Sequence, residues 1–197
     1  MIVEERLVTY INSLDSGNTP LLEEIEAEAK KNYVPVIRKE MQSFLKSMLA
    51  LKRPERILEV GTAVGFSALL MEEYNPVPCR ITTIENYEKR IPIAKENCRK
   101  AGREDRITLL EGDATEILRE LEGTYDVIFM DPPYSKGLER RVLEVLSTKK
   151  FTTDTLIVVE AALDEDFSYV DALGFEITKD KHYKTNKHVF LMQKENV

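Results

Sequence analysis

Residues 56–67 read RILEVGTAVGFS, and they carry the strongest indication of the fold. Its first half is apolar and predicts a buried strand, and Gly61 and Gly65 predict a tight turn directly after that strand. The run Ala68-Leu69-Leu70-Met71 then predicts an amphipathic helix. Glycines at such a turn let the backbone approach a ligand closely, while Glu59 and the helix N-terminus supply an acceptor and donors. The stretch therefore predicts the first strand, turn and helix of a ligand-binding α/β sheet.

Strands and helices alternate beyond this unit. The predicted strands are 56–60, 80–84, 106–110, 125–130 and 155–159, and the predicted helices are 64–74, 87–101, 114–122, 137–147 and 164–172. This alternation predicts parallel strands joined by right-handed crossovers. Phe175–Lys179 and His188–Met192 predict a closing antiparallel pair. The expected fold class is therefore α/β: a Rossmann-like, doubly wound, mostly parallel sheet of seven strands with a C-terminal antiparallel pair.

The N-terminal third is helical in pattern. Helices are predicted over Ile2–Leu14, from Thr19 as an N-cap with Pro20 in the first turn, and over Arg38–Leu51. We expect this helical layer to pack on the sheet edge, cover a pocket or pair two subunits as a homodimer. The 197 residues suit a single domain, with a helical extension over 1–53 and a Rossmann-like core over 54–197.

Acidic residues follow the next two predicted strands. Glu85 ends the second strand about 20 residues past the glycine turn, where nucleotide-binding folds keep an acid for ribose hydroxyls. The third strand leads into Gly112-Asp113-Ala114, where Asp113 is placed to accept a bond from an adenine amine. Taken singly, each carboxylate is more often a helix cap or a solvated turn residue. Together with Glu59 they favour a nucleoside pocket.

The fourth predicted strand, Tyr125–Met130, ends in Asp131-Pro132-Pro133-Tyr134. The two prolines stiffen the chain and leave carbonyl groups without competing amide donors. A carboxylate, these carbonyls and an aromatic ring form a clamp for a planar group that bears an amine. A strand followed by a proline turn is the simpler interpretation of these four residues alone, but the upstream motifs favour a substrate clamp.

Composition limits the class of protein. The sequence starts with no secretory signal and has no apolar run near the ~20 residues that span a membrane, so we expect a cytoplasmic protein without a membrane partner. Cys79 and Cys98 lack metal or redox spacing and are expected to be reduced thiols. The net charge of −7 argues against a protein that coats nucleic acid. Basic residues near Tyr183 and after Tyr134 either contact RNA or form a solvated face.

The ordered motifs E-x-G-T-x-x-G-x-S, strand-end Glu, G-D-A and D-P-P-Y resemble the class I S-adenosylmethionine-dependent methyltransferases from roughly Arg56 to the C-terminus. The resemblance implies S-adenosyl-L-methionine as the cofactor. Its methionine end is expected at the glycine turn, its ribose at Glu85, and its adenine at Asp113 and Ala114. The predicted cofactor-binding residues are Glu59, Gly61, Thr62, Ala63, Gly65, Ser67, Glu85, Asp113 and Ala114.

Two finer resemblances differ between the halves of the chain. Residues 1 to about 131 resemble the caffeoyl-CoA O-methyltransferase-like family, and in particular its bacterial branch that O-methylates 5-hydroxyuridine in tRNA. Those enzymes coordinate a divalent cation, for which Asp131 and Glu160 would be an incomplete set here. Residues from about 125 onward resemble the 16S rRNA guanine-N2 methyltransferase family. That likeness gives catalytic roles to Asp131, Pro132 and Tyr134, which would hold an exocyclic amine and stack on its base.

Three hypotheses follow. The leading one is a methyltransferase for guanine N2 in RNA, either rRNA or tRNA, that uses the D-P-P-Y clamp and no metal. The first alternative is a metal-dependent O-methyltransferase acting on tRNA 5-hydroxyuridine or a small phenolic substrate. The second is an engineered chimera, joined near the fourth strand, that folds and either binds cofactor without activity or binds nothing. His182 and His188 are expected on the surface, and residues 34–39 are expected to fold over the cofactor.

Overall fold

The computed structural model describes residue 10 and residues 17–133, 136–149 and 154–194. Within these residues the chain forms six helices and seven strands. The helices are α1 (Pro20–Lys31), α2 (Lys39–Lys52), α3 (Phe66–Tyr74), α4 (Ile91–Ala101), α5 (Ala114–Glu120) and α6 (Leu138–Leu146). The strands are β1 (Arg56–Val60), β2 (Arg80–Glu85), β3 (Ile107–Glu111), β4 (Val127–Met130), β5 (Leu156–Ala161), β6 (Phe175–His182) and β7 (Lys187–Gln193).

All seven strands form one sheet in the order β3-β2-β1-β4-β5-β7-β6. Strands β1 to β5 run parallel, and β7 lies antiparallel between β5 and β6. The predicted α/β fold and its antiparallel pair are confirmed. The strand order reverses between β1 and β4, and a crevice opens at the carboxyl ends of strands at such a point. The sheet therefore brings the ends of β1 and β4 together.

Helices cover both faces of the sheet. Successive side chains of a strand point to opposite faces, so Ile57 and Phe129 pack on one side while Leu58 and Ile128 pack on the other. The first side also holds the buried residues of α1, α2 and α3, and the second holds those of α6. The predicted N-terminal layer thus covers a face of the sheet rather than its edge. Pairing of two subunits stays a prediction.

The second predicted helix starts where expected. Thr19 is the N-cap residue of α1 in an extended conformation, with Pro20 at the first helical position. The Thr19 side chain makes no capping hydrogen bond, and the Glu23 carboxylate instead accepts from the backbone N–H of Asn18 at 2.9 Å. The first predicted helix, Ile2–Leu14, lies outside the described residues except for Tyr10.

The helix predicted over residues 164–172 is wrong, because this segment forms consecutive turns. The Asp166 carboxylate accepts from the Ser168 backbone N–H at 2.9 Å and from the Ser168 hydroxyl at 2.7 Å. Such local bonds compete with the helical hydrogen-bond ladder. Phe167 and Val170 are both buried, and their spacing of three residues matches the apolar stripe of a helix. The same spacing also fits a turn, which explains the error.

Candidate functional site

A cavity of about 770 Å³ lies at the carboxyl ends of the central strands. Its walls are formed by residues 35–38 and by the segments that follow β1, β2, β3 and β4, with Glu160 contributed by β5. The predicted positions that line it are Gly61, Thr62, Ala63, Ser67, Glu85, Asp113, Ala114, Asp131 and Pro132. The fold therefore gathers most of the predicted site residues around one cavity.

The glycine turn after β1 is held against β2. The backbone N–H groups of Gly61 and Thr62 both donate to the Ile84 carbonyl, at 3.0 and 3.2 Å. Gly61 has φ 104° and Gly65 has φ 83°, a region in which side chains are strained. A Cβ atom at Gly61 would lie 3.1 Å from the backbone oxygen of Asp131. The glycine turn and the proline turn after β4 are therefore in direct contact.

Glu85 is held rigidly at the end of β2. Its carboxylate accepts from the backbone N–H groups of Ala63 at 2.7 Å, Asn86 at 3.1 Å and Tyr87 at 2.8 Å. A carboxylate has about four lone-pair sites, so Glu85 keeps acceptor capacity for further donors. This geometry suits hydroxyl groups that enter the cavity.

Asp113 caps helix α5 as well as lining the cavity. Its Oδ1 accepts from the backbone N–H groups of Thr115 at 2.8 Å and Glu116 at 3.4 Å, and from the Thr115 hydroxyl at 2.5 Å. These bonds, led by that of the Thr115 hydroxyl, lower the pKa of Asp113 although partial burial opposes them. All three hydrogen bonds go to Oδ1, which leaves Oδ2 to accept a hydrogen bond from a ligand.

Glu59 and Gly65 are not among the cavity-lining residues. Glu59 is fully buried, and its Oε2 accepts a hydrogen bond from the Thr83 hydroxyl at 2.5 Å. Burial raises the pKa of Glu59 to about 7; the Glu85 charge adds to this effect, and hydrogen bonds from Ser67 and Thr83 oppose it. Thr83 in turn contacts the Thr62 hydroxyl at 2.6 Å. Glu59 therefore supports the turn through Thr83 and is not part of the wall on which the sequence placed it.

Asp131, Pro132 and Pro133 line the cavity, whereas Tyr134 lies outside the described residues. Burial raises the pKa of Asp131 well above its ordinary value, and the charges of Glu160, Glu59 and Glu139 raise it further. Asp131 and Glu160 follow the paired residues Met130 and Val159 of adjacent parallel strands. The inner end of the cavity therefore carries two neighbouring carboxyl groups.

Sequence reasoning missed the residues behind Glu160. The Asn186 amide donates to Glu160 Oε1 at 2.6 Å, and His188 Nε2 lies 3.7 Å from Glu160 Oε2. His188 is buried, so its expected surface position is wrong; burial lowers its pKa to about 4, and Lys181 contributes. The available signal was the apolar run after His188, which indicates a buried strand.

Residues 35–38 line the cavity mouth, as expected for the segment before α2. Arg38 is the N-cap residue of α2 and donates to the hydroxyl of Thr185 in the β6–β7 hairpin. Tyr87 also lines the cavity, whereas Tyr33 does not and is 95% exposed. The N-terminal layer therefore forms one side of the mouth, and the C-terminal hairpin contacts this layer through Thr185.

Among residues 17–133, 136–149 and 154–194, no group of three or more His, Cys, Asp or Glu side chains is arranged to hold a metal ion. Within the same described ranges, no helix is both long enough and apolar enough to cross a membrane.

The sequence profile of the family described as "O-methyltransferase" matches residues 12–172. The match is continuous through β4, where the chain was expected to change from one family to another, and extends about 40 residues beyond it. The comparisons therefore give no support to the expected chimera or to a 16S rRNA methyltransferase portion.

Two curated relatives carry the same description. A catechol O-methyltransferase of Niastella koreensis is 33% identical over 100 residues, which are 47% of this chain and 45% of that protein. An O-methyltransferase of Aspergillus hancockii is 36% identical over 119 residues, 60% of this chain and 47% of that protein. The chain thus spans about half the length of these relatives.

Solved structures match over nearly the full length. A methyltransferase of Podospora anserina bound to SAH has a TM-score of 0.78 at 21% identity, covering 99% of each chain. An O-methyltransferase of Streptomyces achromogenes in complex with SAM has a TM-score of 0.74 at 18% identity, covering 98% of this chain and all of that one. At these identities the likeness shows the fold.

Proposed function

The chain belongs to the O-methyltransferase family of S-adenosylmethionine-dependent enzymes, and from this premise we propose that it methylates a hydroxyl group of a small aromatic acceptor. The observation that carries the proposal is the contact between the glycine turn and the Asp131 turn within one cavity. A cofactor on the first turn and an acceptor at the second would then meet. The catechol O-methyltransferases among the relatives support an aromatic hydroxyl as the acceptor.

The cavity residues fit this cofactor. Gly61 leaves no room for a side chain at the turn, where the methionine end would lie. Glu85 is oriented by three backbone N–H groups and would bind the ribose hydroxyls. Asp113 keeps one carboxylate oxygen toward the adenine amine. The cofactor supplies an activated methyl group on its sulfonium sulfur.

Asp131 is the proposed catalytic residue for the acceptor. Its carboxylate would accept a hydrogen bond from the acceptor hydroxyl and point an oxygen lone pair at the methyl carbon. The C–O bond would form as the C–S bond breaks, and the hydroxyl proton would pass to the Asp131 carboxylate. Its raised pKa makes this carboxylate a stronger base than an exposed one. Most of the rate enhancement would come from alignment of the two reactants in a site shielded from water.

A divalent cation does not fit the described donor set well. Asp131 and Glu160 are the carboxyl groups at the inner end, and one Glu160 oxygen is already occupied by the Asn186 amide. Hard cations take six or more oxygen ligands in a fixed arrangement. No step of the proposed reaction therefore uses a metal, and we expect transfer to continue in excess EDTA. Strict loss of transfer in EDTA, restored by Mg²⁺, would support the metal-dependent alternative instead.

A second candidate is methylation of an amine. Pro132 and Pro133 carry no backbone N–H, so the carboxylate and carbonyls of this turn offer acceptors without donors. An amine, which donates two hydrogen bonds, suits such a turn. The comparisons give no support to guanine N2 in RNA, the acceptor that the sequence favoured, so this candidate concerns small aromatic amines. An RNA partner stays a prediction.

One acceptor can separate the two candidates. We would incubate the protein with S-adenosylmethionine and 2-aminophenol, which carries a hydroxyl and an amine on adjacent carbons, and identify the product by mass spectrometry. The expected product is the methyl ether. N-methylation would favour the second candidate. Failure to methylate 2-aminophenol or catechol, with SAH binding intact by calorimetry, would sink both.

The role of Asp131 needs its own variants. Asp131→Asn keeps the size of the side chain but removes its basicity, and we expect transfer to fall about 100-fold or more while SAH affinity changes little. The exposed Glu144, on the outer part of α6, provides a control as Glu144→Gln. Equal rates for Asp131→Asn and the unaltered protein would show that Asp131 takes no part in the reaction.

A further inference from the structure

The cavity extends beyond the residues that are assigned to the cofactor. The remaining walls include Pro35–Arg38, Asp131–Pro133, Lys136 and Glu160, with Leu138 and Val142 of α6. We call this part the acceptor end. Its charges are separated, because Asp131 and Glu160 lie at the strand ends while Arg38 and Lys136 are exposed side chains of the flanking segments.

The two cations of the acceptor end are not neutralised by described neighbours. Within the parts of the chain that the structure describes, no carboxylate lies within 4 Å of the Arg38 or Lys136 charged nitrogens. Many surface cations elsewhere in the protein do have such partners. Examples are Lys30 with Glu26, Lys95 with Glu111, Arg99 with Glu96, Arg103 with Glu72 and Arg140 with Glu144. Arg90 and Arg141 also line the cavity, so cations gather around it although the chain carries a net charge of −7.

Arg38 is also held in place. It is the N-cap residue of α2, and its guanidinium donates to the Thr185 hydroxyl of the β6–β7 hairpin. A hydroxyl does not cancel the positive charge, and a guanidinium retains four further N–H donors. The contact therefore positions the cation without neutralising it.

We propose that the acceptor end selects aromatic acceptors that carry an anionic group, a carboxylate or a phosphate, on the side of the ring away from the reacting hydroxyl. This inference rests on the proposed function. The anionic group would lie between Arg38 and Lys136, which leaves the hydroxyl directed at Asp131. A cationic substituent would be repelled at the mouth and attracted by Asp131 and Glu160, which turns the hydroxyl away from the methyl group.

Acceptors with the same two hydroxyls and different charges test this selection. We would measure kcat/KM for catechol, 3,4-dihydroxybenzoate, 3,4-dihydroxyphenyl phosphate and dopamine. Partly exposed charge pairs contribute modestly, so we expect the anionic acceptors to exceed catechol by about three- to tenfold and dopamine to fall below it. The preference should shrink as salt is raised from about 20 mM to 500 mM, because salt screens exposed charges. Comparing the carboxylate with the phosphate shows which anion is favoured.

The cations are tested by Arg38→Gln and Lys136→Gln, alone and together. Glutamine keeps a donor for Thr185, so the double variant is expected to lose the anion preference, measured as the ratio of kcat/KM for 3,4-dihydroxybenzoate to kcat/KM for catechol. Lys31→Gln, on the exposed surface of α1, is the matched control and should keep the preference. A preference that survives in the double variant, or an order with catechol or dopamine first, would overturn the inference.

Failure of the proposed function would look different. If none of the four acceptors is methylated, the proposed function fails. The selection for an anionic group is then measured as a difference in binding affinity. Titration calorimetry of catechol and 3,4-dihydroxybenzoate into SAH-saturated protein should still show tighter binding of the carboxylate, lost in the double variant. Equal or undetectable binding of the two would end the inference as well.

Discussion

Gly61 is the residue at which the two halves of the cavity meet. Gly61→Ala would place a methyl group 3.1 Å from the Asp131 carbonyl oxygen at a φ of 104°, so the chain at one of the two turns must move. We predict at least a tenfold loss of SAH affinity, measured by titration calorimetry, because that turn would no longer be shaped for the cofactor.

Gly102→Ala is the matched control for this prediction. Gly102 also has a positive φ, 62°, but a Cβ atom there would meet nothing within 4 Å. Both variants are expected to lose about 1 kcal/mol of unfolding free energy from the backbone conformation. Only Gly61→Ala is expected to lose SAH affinity, and equal affinities in the two variants would show that the contact with Asp131 does not matter.

Glu59 should make stability depend on pH. Its pKa of about 7 in the folded protein lies above the ordinary value of 4.5, so the native state binds more protons than the unfolded state between these values. The contribution of Glu59 to the unfolding free energy is therefore largest below about pH 4.5 and is lost as the pH rises to about 7. The shift corresponds to a loss of about 3 kcal/mol.

Glu59→Gln removes this titration. We predict that urea denaturation between pH 4.5 and 7 will show a flatter decline for Glu59→Gln than for the unaltered protein. Glu88→Gln, at an exposed position in the loop after β2, should behave like the unaltered protein. Parallel pH profiles for Glu59→Gln and the unaltered protein would mean that Glu59 does not titrate in this range.

Residues at strand ends were predictable, whereas residues brought in by distant strands were not. Glu85 and Asp113 lie on the cavity as the sequence indicated, since each directly follows an apolar run. Glu59 was misplaced because its side chain is fully buried and bonds the Thr83 hydroxyl instead of facing the cavity. Asn186 and His188 meet Glu160 only through the pairing of β7 with β5, which no local pattern specifies.

At the scale of elements, Asp113 serves helix α5 and the cavity at once, and two substitutions separate these roles. Asparagine is as good an N-cap as aspartate, so Asp113→Asn should leave the unfolding free energy nearly unchanged. Its amide would face the adenine amine without a charge, and we predict a loss of SAH affinity of about tenfold. Asp113→Ala should lose the same affinity and about 1 kcal/mol of stability. Thermal denaturation and calorimetry measure the two quantities.

If Asp113→Asn bound SAH as tightly as the unaltered protein, the residue would be a helix cap alone. Thr19→Ala provides a comparison at another helix, because the Thr19 side chain makes no capping bond to α1. The unfolding free energy of Thr19→Ala should therefore change less than that of Asp113→Ala.

Elements with a consistent apolar period were predicted to within a few residues. Strands β1, β4 and β5 coincide with short apolar runs, and a parallel strand buried on both faces has that pattern. The segment 164–172 failed because Phe167 and Val170 satisfy a helical spacing while Asp166 bonds its own loop. Side-chain competition of this kind depends on local geometry that the apolar pattern does not contain.

For the whole molecule, one buried cluster joins the N-terminal layer to the sheet. Leu45 of α2, Leu70 of α3 and Val158 of β5 are completely buried in this cluster. The sequence predicted the layer but not its position on the sheet face, because the helical pattern shows which side of a helix is buried and not what covers it. The apparent change of family near β4 reflected local motifs, whereas the family match runs on through β4.

This cluster predicts that the chain unfolds as a single domain, in one cooperative transition. Leu45→Ala and Val158→Ala, on opposite sides of β4 in the sequence, should each lower the same urea midpoint. We expect a loss of about 2 to 5 kcal/mol for Leu45→Ala and less for the smaller deletion at Val158.

Far-ultraviolet circular dichroism reports the whole chain, and thiol labelling of the buried Cys79 and Cys98 reports the cluster beside α3 and α4. The two signals should coincide in every variant. Thiol exposure that precedes the loss of ellipticity, or a Leu45→Ala variant that melts in two steps, would show that the N-terminal part and the later strands are separate folding units.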